Sequence, residues 1–263
     1  MRKWLAFLRR DAAIAASYRS DLVFGLVGGL MTLTVFYFLA KTFGDSTRLQ
    51  PYGDYFSFAL VGVAMAASLR SLQTAFSLKL REAQLDGSLE ALLATPLSTL
   101  QVIGGMAAYP VLAGLARALT LLAVGALFFG AHLNLHLPAF AVALSLAWLT
   151  SAALGLLSAS FVLIVKRGDP LSYALDVATY LLCGVVYPLD VLPPALRRLS
   201  DLLPATHALA ALRASGLQGQ GFPEIQSSLL ALVAFAALLW PAAILALGAA
   251  RRRVERTGTL NQS

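Results

Sequence analysis

Arg70, Arg117 and Asp176 stand inside long apolar runs, where a charge is costly. On insertion scales a charged side chain at the centre of a bilayer-spanning helix costs about 2.5–3.5 kcal/mol, so such groups normally face a partner, a cavity or water. An unpaired carboxylate in hydrocarbon protonates or recruits a cation. Asp176 is therefore expected beside Arg70 or Arg117, or beside a water-filled path. Structural readings stay open as well: Arg70 reaching the membrane surface along its own stem, Asp176 held in a structural hydrogen bond, Arg117 bridging helices. Two other groupings have residue types that do chemistry. His132 and His136 are four apart, a spacing that suits a metal on a helix, but Pro138 makes a helix there doubtful and no carboxylate is near in sequence. No metal site is expected. His207 with Ser200 and Asp201 has the composition of a hydrolytic triad, yet no nucleophile-elbow motif accompanies it, and capping is the simpler role. The single cysteine, Cys183, reads as a small buried hydrophobe.

A polar island, Lys79 to Pro96, lies between two apolar runs and gathers five charges, Lys79, Arg81, Glu82, Asp86 and Glu90, into twelve residues. Gly87 weakens helix continuity and Ser88 is a suitable N-cap. Glu90 then falls in the first turn, where a carboxylate complements the helix dipole. Leu85, Leu89, Leu92 and Leu93 recur at helical spacing, with Glu82, Asp86 and Glu90 as an acidic stripe beside them. Thr95-Pro96 restarts a helix. The bland reading is an interfacial connector between two spans. An acidic stripe, however, suits a basic protein groove better than an anionic membrane leaflet.

The elements that position these residues follow from composition. Hydrophobic residues make up 59% of the 263 and charged ones 13%, against roughly 25% charged in soluble domains, and the mean hydropathy is +0.75. No Asp, Glu, Lys or Arg occurs between Arg117 and Lys166, or between Glu224 and Arg251. About 20 apolar residues cross the hydrocarbon as a helix, and these continuous runs lack the alternation of a membrane β-strand. The fold expected is an all-α membrane protein with six transmembrane helices: Leu22–Ala40, Tyr55–Phe76, Val102–Phe129, Ala139–Val165, Leu171–Tyr187 and Ser228–Ala250. Residues 1–21 form an amphipathic interfacial helix, with Trp4, Leu5, Phe7 and Leu8 against Arg2, Lys3, Arg9 and Arg10. Thirteen Lys and Arg residues fall at the termini, in the island and at Lys166-Arg167; five (Lys41, Arg48, Arg197, Arg198, Arg213) fall on the other side. The positive-inside rule then puts both termini and the island in the cytoplasm. The net charge of +7 is explained by this bias and gives no reason to expect nucleic acid as a partner. Pro193-Pro194 can start a short helix, and Pro204 breaks it before a second one, Thr206–Arg213; each is too short to cross a bilayer, and the pair reads as a re-entrant or interfacial hairpin over 188–214.

Two blocks carry a family resemblance. Asp86-Gly-Ser-Leu-Glu-Ala-Leu-Leu-Ala-Thr-Pro-Leu-Ser98 resembles a Gly-Thr-Leu-Glu-x-Leu-Leu-x-Thr-Pro segment of ABC-2 type transporter permeases, with Ser88 in place of the commoner Thr. The stretch from Gly184 through Pro188, Pro193, Pro204 and His207 to Arg213 resembles the segment after that family's fifth span. The resemblance spans nearly the whole chain as one transmembrane domain, 1–263. It implies a cytoplasmic coupling segment at 78–100, with Arg81, Glu82, Asp86, Gly87, Ser88, Leu89, Glu90, Leu92 and Leu93 meeting an ABC ATPase subunit. Arg70, Asp176 and Arg117 would line the translocation path, and the hairpin would shape its outer exit. The sequence has no Gly-x-x-x-x-Gly-Lys-Ser/Thr loop, so ATP and Mg would be bound by the partner and the chain would not be catalytic by itself. The resemblance further implies a second permease copy, by default a homodimer, in a bacterial cytoplasmic membrane. The expected cargo is a hydrophobic or amphipathic small molecule: a drug, an antibiotic or a lipid-like compound. The alternatives are a lipid-linked glycan or polysaccharide, or an ATP-independent membrane transporter.

Overall fold

The computed structural model of the chain describes residues 19–43, 54–88, 99–165 and 168–257. The interfacial helix expected over 1–21 falls, through residue 18, outside the described residues. So do Leu89, Glu90, Leu92 and Leu93 of the island and Lys166-Arg167.

Eight α-helices and one 3-10 turn occur among the described residues: α1 Arg19–Phe43, α2 Tyr55–Leu85, α3 Thr99–Phe128, α4 Leu137–Val165, α5 Pro170–Leu182, the turn Leu189–Val191, α6 Pro194–Asp201, α7 Pro204–Leu217 and α8 Phe222–Thr257. Four of them are long and apolar enough to cross a bilayer, over Tyr55–Leu85, Leu100–Phe128, Leu137–Val165 and Phe222–Arg253. A shorter apolar stretch, Val27–Thr42, lies in α1. The fifth expected span is helical for only 13 residues, about 20 Å at 1.5 Å per residue. That is shorter than the roughly 30 Å hydrocarbon core.

The central helix is α2, with 19 of its 31 residues buried. It packs on α3, α4 and α7, while α4 also packs on α8. Small residues allow close approach, as usual between membrane helices. A Cβ on Gly155 of α4 would sit 2.6 Å from the Leu72 carbonyl oxygen of α2. Polar side chains add cross-links: Trp148 Nε1 donates to Ser68 Oγ at 3.0 Å, and Trp240 Nε1 to the Leu149 carbonyl at 3.1 Å. One apolar cluster, around Leu60, Met65, Phe140 and Leu209, fills the end of the bundle where α2 begins. A second, around Leu80, Ile103, Leu163 and Leu247, fills the end nearer the island.

Capping fixes the first of these ends. Asp54 Oδ1 accepts from the Ser57 backbone N–H at 2.7 Å and starts α2. The Ser57 hydroxyl in turn accepts from the His132 N–H at 2.9 Å, tying the end of α3 to it. His136 Nδ1 accepts from the Ala139 N–H at 3.3 Å at the start of α4. His132 and His136 thus serve the same helix–helix junction.

Candidate functional site

Arg70 is the sixteenth of the 31 residues of α2, and Asp176 the seventh of the 13 in α5. Their helices pack together, and Arg70 Nε lies 3.4 Å from Asp176 Oδ1. Arg117, on α3, lines the same cavity as Arg70. The cavity measures about 230 Å³ and is bounded by Ala67, Arg70, Ser71, Thr74, Gly114, Arg117, Ala118 and Tyr180. Arg70 and Arg117 therefore converge on one polar hollow between α2, α3 and α5, and Asp176 reaches it through its ion pair with Arg70. The Arg70 side chain is 57% exposed and that of Asp176 16%, so the hollow opens to the outside of the chain. The hydroxyls of Ser71 and Thr74 donate back to the carbonyls of Ala67 and Arg70 at 3.0 Å and present only lone pairs to it.

A second polar cluster surrounds Arg213, which the sequence places in the re-entrant or interfacial hairpin over 188–214. Its helix runs Pro204–Leu217 and packs inside the bundle, and Arg213 is only 5% exposed. Its Nη1 donates to the Gly184 carbonyl at 2.7 Å and its Nη2 to the Val185 carbonyl at 2.6 Å. Nε and Nη2 reach the Phe58 carbonyl at 3.4 and 3.3 Å, and the guanidinium carbon stands 3.6 Å from the centroid of the Phe58 ring. The carbonyls of Gly184 and Val185 lie just past the end of α5, outside any helix, and a five-donor planar fork suits several acceptors at once. One side chain thereby joins α7, α2 and the end of α5. Gly62 makes the approach possible, since a Cβ there would lie 2.0 Å from the Val185 oxygen and 2.2 Å from Arg213 Nη2.

The rest of this segment is turn chemistry. Pro188 precedes the 3-10 turn, Pro193 is the N-cap residue of α6, and Pro204 opens α7. Between α6 and α7 the Thr206 hydroxyl donates to the Ser200 carbonyl at 2.6 Å, and His207 Nε2 to the Asp201 carbonyl at 3.0 Å. Ser200 and Thr206 hydroxyls are 3.0 Å apart. Ser200, Asp201 and His207 thus close a helix–helix corner.

The island residues are placed differently from the sequence reading. Lys79, Arg81 and Glu82 belong to the last turns of α2, which ends at Leu85, nine residues beyond the expected end of that span. Lys79 Nζ and Glu82 Oε2 pair at 2.5 Å. Asp86 is the C-cap residue, and Gly87 follows with φ +68°, the left-handed residue that commonly ends a helix. Glu82 and Asp86 lie at the end of α2, while Glu90, the third carboxylate of the expected stripe, lies outside the described residues. Ser88 is exposed immediately after the break.

The model of the ABC-2 type transporter family matches residues 1–217. The chain belongs to that family. Comparison with individual curated proteins returned no match. Family membership makes the chain the membrane component of a transporter and implies an ABC ATPase as its partner.

One further polar cluster in this ABC-2 protein escaped the sequence reading. Asp169 caps α5, with Pro170 at the first helical position, and its Oδ1 accepts from the Ser172 N–H at 3.0 Å and from the Ser158 hydroxyl. The Ser172 hydroxyl donates to the Gln73 carbonyl of α2 at 3.2 Å and lies 2.9 Å from Ser158 Oγ. The Asp-Pro pair was the available signal. Burial would raise the Asp169 carboxyl, but hydrogen bonds from Ser158, Ser172 and Ser77 outweigh it and hold the group below its ordinary range. A depressed carboxylate contributes stability that is full above its unfolded pKa, about 3.9, and is lost as pH falls through the folded value. In a thermal-unfolding series from pH 7 to 2, Asp169→Asn is expected to flatten the acid limb. An acid limb as steep as that of the unmodified protein would contradict this.

Proposed function

We propose that the chain is the permease subunit of an ATP-driven exporter that moves a hydrophobic or amphipathic small molecule out of the cytoplasm by alternating access. The observation that carries this reading is the polar cavity lined by Arg70 and Arg117, with Asp176 paired to Arg70, set midway along helices of an ABC-2 family member. In this reading α1 and α5 join the four long helices as spans one and five, giving six. Both termini and the island face the cytoplasm, and α6–α7 form the outer re-entrant hairpin. The working unit pairs two permease copies with two ATPase subunits, which bind ATP and Mg. The preponderance of Lys and Arg at the termini and the island supports the orientation.

The purified chain is expected to hydrolyse no ATP, because its sequence contains no phosphate-binding loop. Its complex with the ATPase, reconstituted in proteoliposomes, is expected to hydrolyse ATP and export cargo. Hydrolysis by the rigorously purified single chain, or a complex that hydrolyses without moving any cargo, would overturn the reading.

Coupling is assigned to the segment around Leu89 and Glu90. A buried apolar anchor dominates an interface while rim charges tune it. Leu89→Asp is therefore expected to lower co-purification of the ATPase by tenfold or more, roughly a loss of 1.4 kcal/mol per decade, and Glu90→Lys by less. Wild-type co-purification and transport by both variants would place the interface elsewhere.

A further inference from the structure

We infer that the cavity between α2, α3 and α5 is a recognition site for an oxyanion head group, phosphate or carboxylate in class, carried on the transported molecule. The inference rests on the exporter reading and specifies its cargo. Arg70 and Arg117 line the hollow, and Asp176 pairs with Arg70 at 3.4 Å. The Ser71 and Thr74 hydroxyls donate their protons to α2 carbonyls, so the guanidinium N–H groups are the donors an oxyanion would meet. No ion pair of Arg117 occurs among the described residues. The site thus holds one positive charge in excess, midway along apolar helices, where an uncompensated cation is expensive. An anion removes that cost, while a cationic head group would add a third positive charge and be rejected. Arg is also the side chain whose planar fork matches carboxylate and phosphate in bidentate fashion, and Tyr180 of α5 completes the lining.

Size points the same way. Drug-sized ligands occupy pockets of roughly 300–1,000 Å³, and a volume of about 230 Å³ suits a head group with a few waters. Beside it, α5 exposes Tyr173, Val177 and Leu181 in one stripe at four-residue spacing. An apolar tail would lie against that stripe while its head enters the cavity.

The test uses the full chain in nanodiscs of zwitterionic lipid, titrated calorimetrically with dodecyl phosphate, with empty nanodiscs subtracted. Saturable binding is expected for dodecyl phosphate and none for dodecyltrimethylammonium. Charge-assisted hydrogen bonds of this kind are worth roughly tenfold or more in affinity, so R117Q is expected to weaken binding by at least about tenfold and R117K by much less. D176N frees Arg70 and is expected to tighten binding, a change of opposite sign that misfolding cannot mimic. Displacement by millimolar inorganic phosphate would show that the head alone is recognised, and resistance to displacement would show that the amphiphile is required; both support an oxyanion site. Equal affinity in wild type, R117Q and D176N, or preference for the cationic amphiphile, would overturn it. Because no ATPase is needed, failure of this experiment is separable from failure of the exporter reading, which is read by ATP-driven transport in the complex.

Discussion

Replacement of Arg213 by leucine is expected to destabilise the folded chain by about 2–6 kcal/mol, the cost of leaving two buried carbonyls without a donor. The carbonyls of Gly184 and Val185 lie beyond the end of α5, and the guanidinium is their recorded donor. Leucine would leave both buried without it, at about 1–3 kcal/mol for each unsatisfied group. The Phe58 carbonyl loses less, since it sits within α2. Arg213→Lys keeps the charge but not the fork, and is expected to recover only part of the loss. Gly62→Ala attacks the same contact from the other side, because its Cβ would come within 2.2 Å of both the guanidinium and the Val185 oxygen. The two changes share one set of partners, so their effects should be strongly non-additive. Thermal unfolding in detergent, followed by tryptophan fluorescence, measures all of these. A midpoint for Arg213→Leu within a degree or two of wild type would refute the role given to Arg213.

Asp176→Leu is expected to reduce export at least tenfold while leaving membrane insertion near normal. Leucine is readily accepted by lipid, whereas the carboxylate that balances Arg70 disappears. The cavity then carries two unbalanced cations, and an anionic head that enters it leaves slowly. Removing the pair together, as Arg70→Leu with Asp176→Leu, restores charge balance at that contact. Folding stability should recover in the double variant while transport stays low, since the lining that meets cargo is gone. Quantitative blotting of membranes and a proteoliposome export assay separate the two quantities. Unchanged export by Asp176→Leu would remove this residue from the path.

Much of the helical layout was legible in the chain because hydropathy is a local property. The apolar runs of α2, α3, α4 and α8 exceed the length needed to cross a bilayer, and nothing in their composition competes with the helix. Punctuation was legible for the same reason: Pro194 opens α6, Pro204 divides α6 from α7 and is itself the first residue of α7, and Gly87 takes the left-handed conformation that ends α2. The cost of charge in hydrocarbon singled out Arg70, Arg117 and Asp176 before their distances were known, since that cost depends only on what flanks each residue.

Other features required the fold. Where α2 ends was misread, because the charged residues Lys79, Arg81 and Glu82 look like a connector, yet Leu80 and Ala83 between them are buried and keep the helix going. Asp176 had two candidate cations, and the packing of α5 on α2 decided for Arg70. Arg213 is the clearest case. Its neighbours Ala211, Leu212, Ala214 and Ser215 are equally compatible with an interfacial helix and with a buried one. Its partners are backbone carbonyls 155, 29 and 28 positions away. Every residue carries a carbonyl, so no residue type announces such an acceptor. Only where a helix stops inside the bundle does a carbonyl lose its own partner, and which arginine arrives to meet it is settled by how α7 is threaded between α2, α4 and α8.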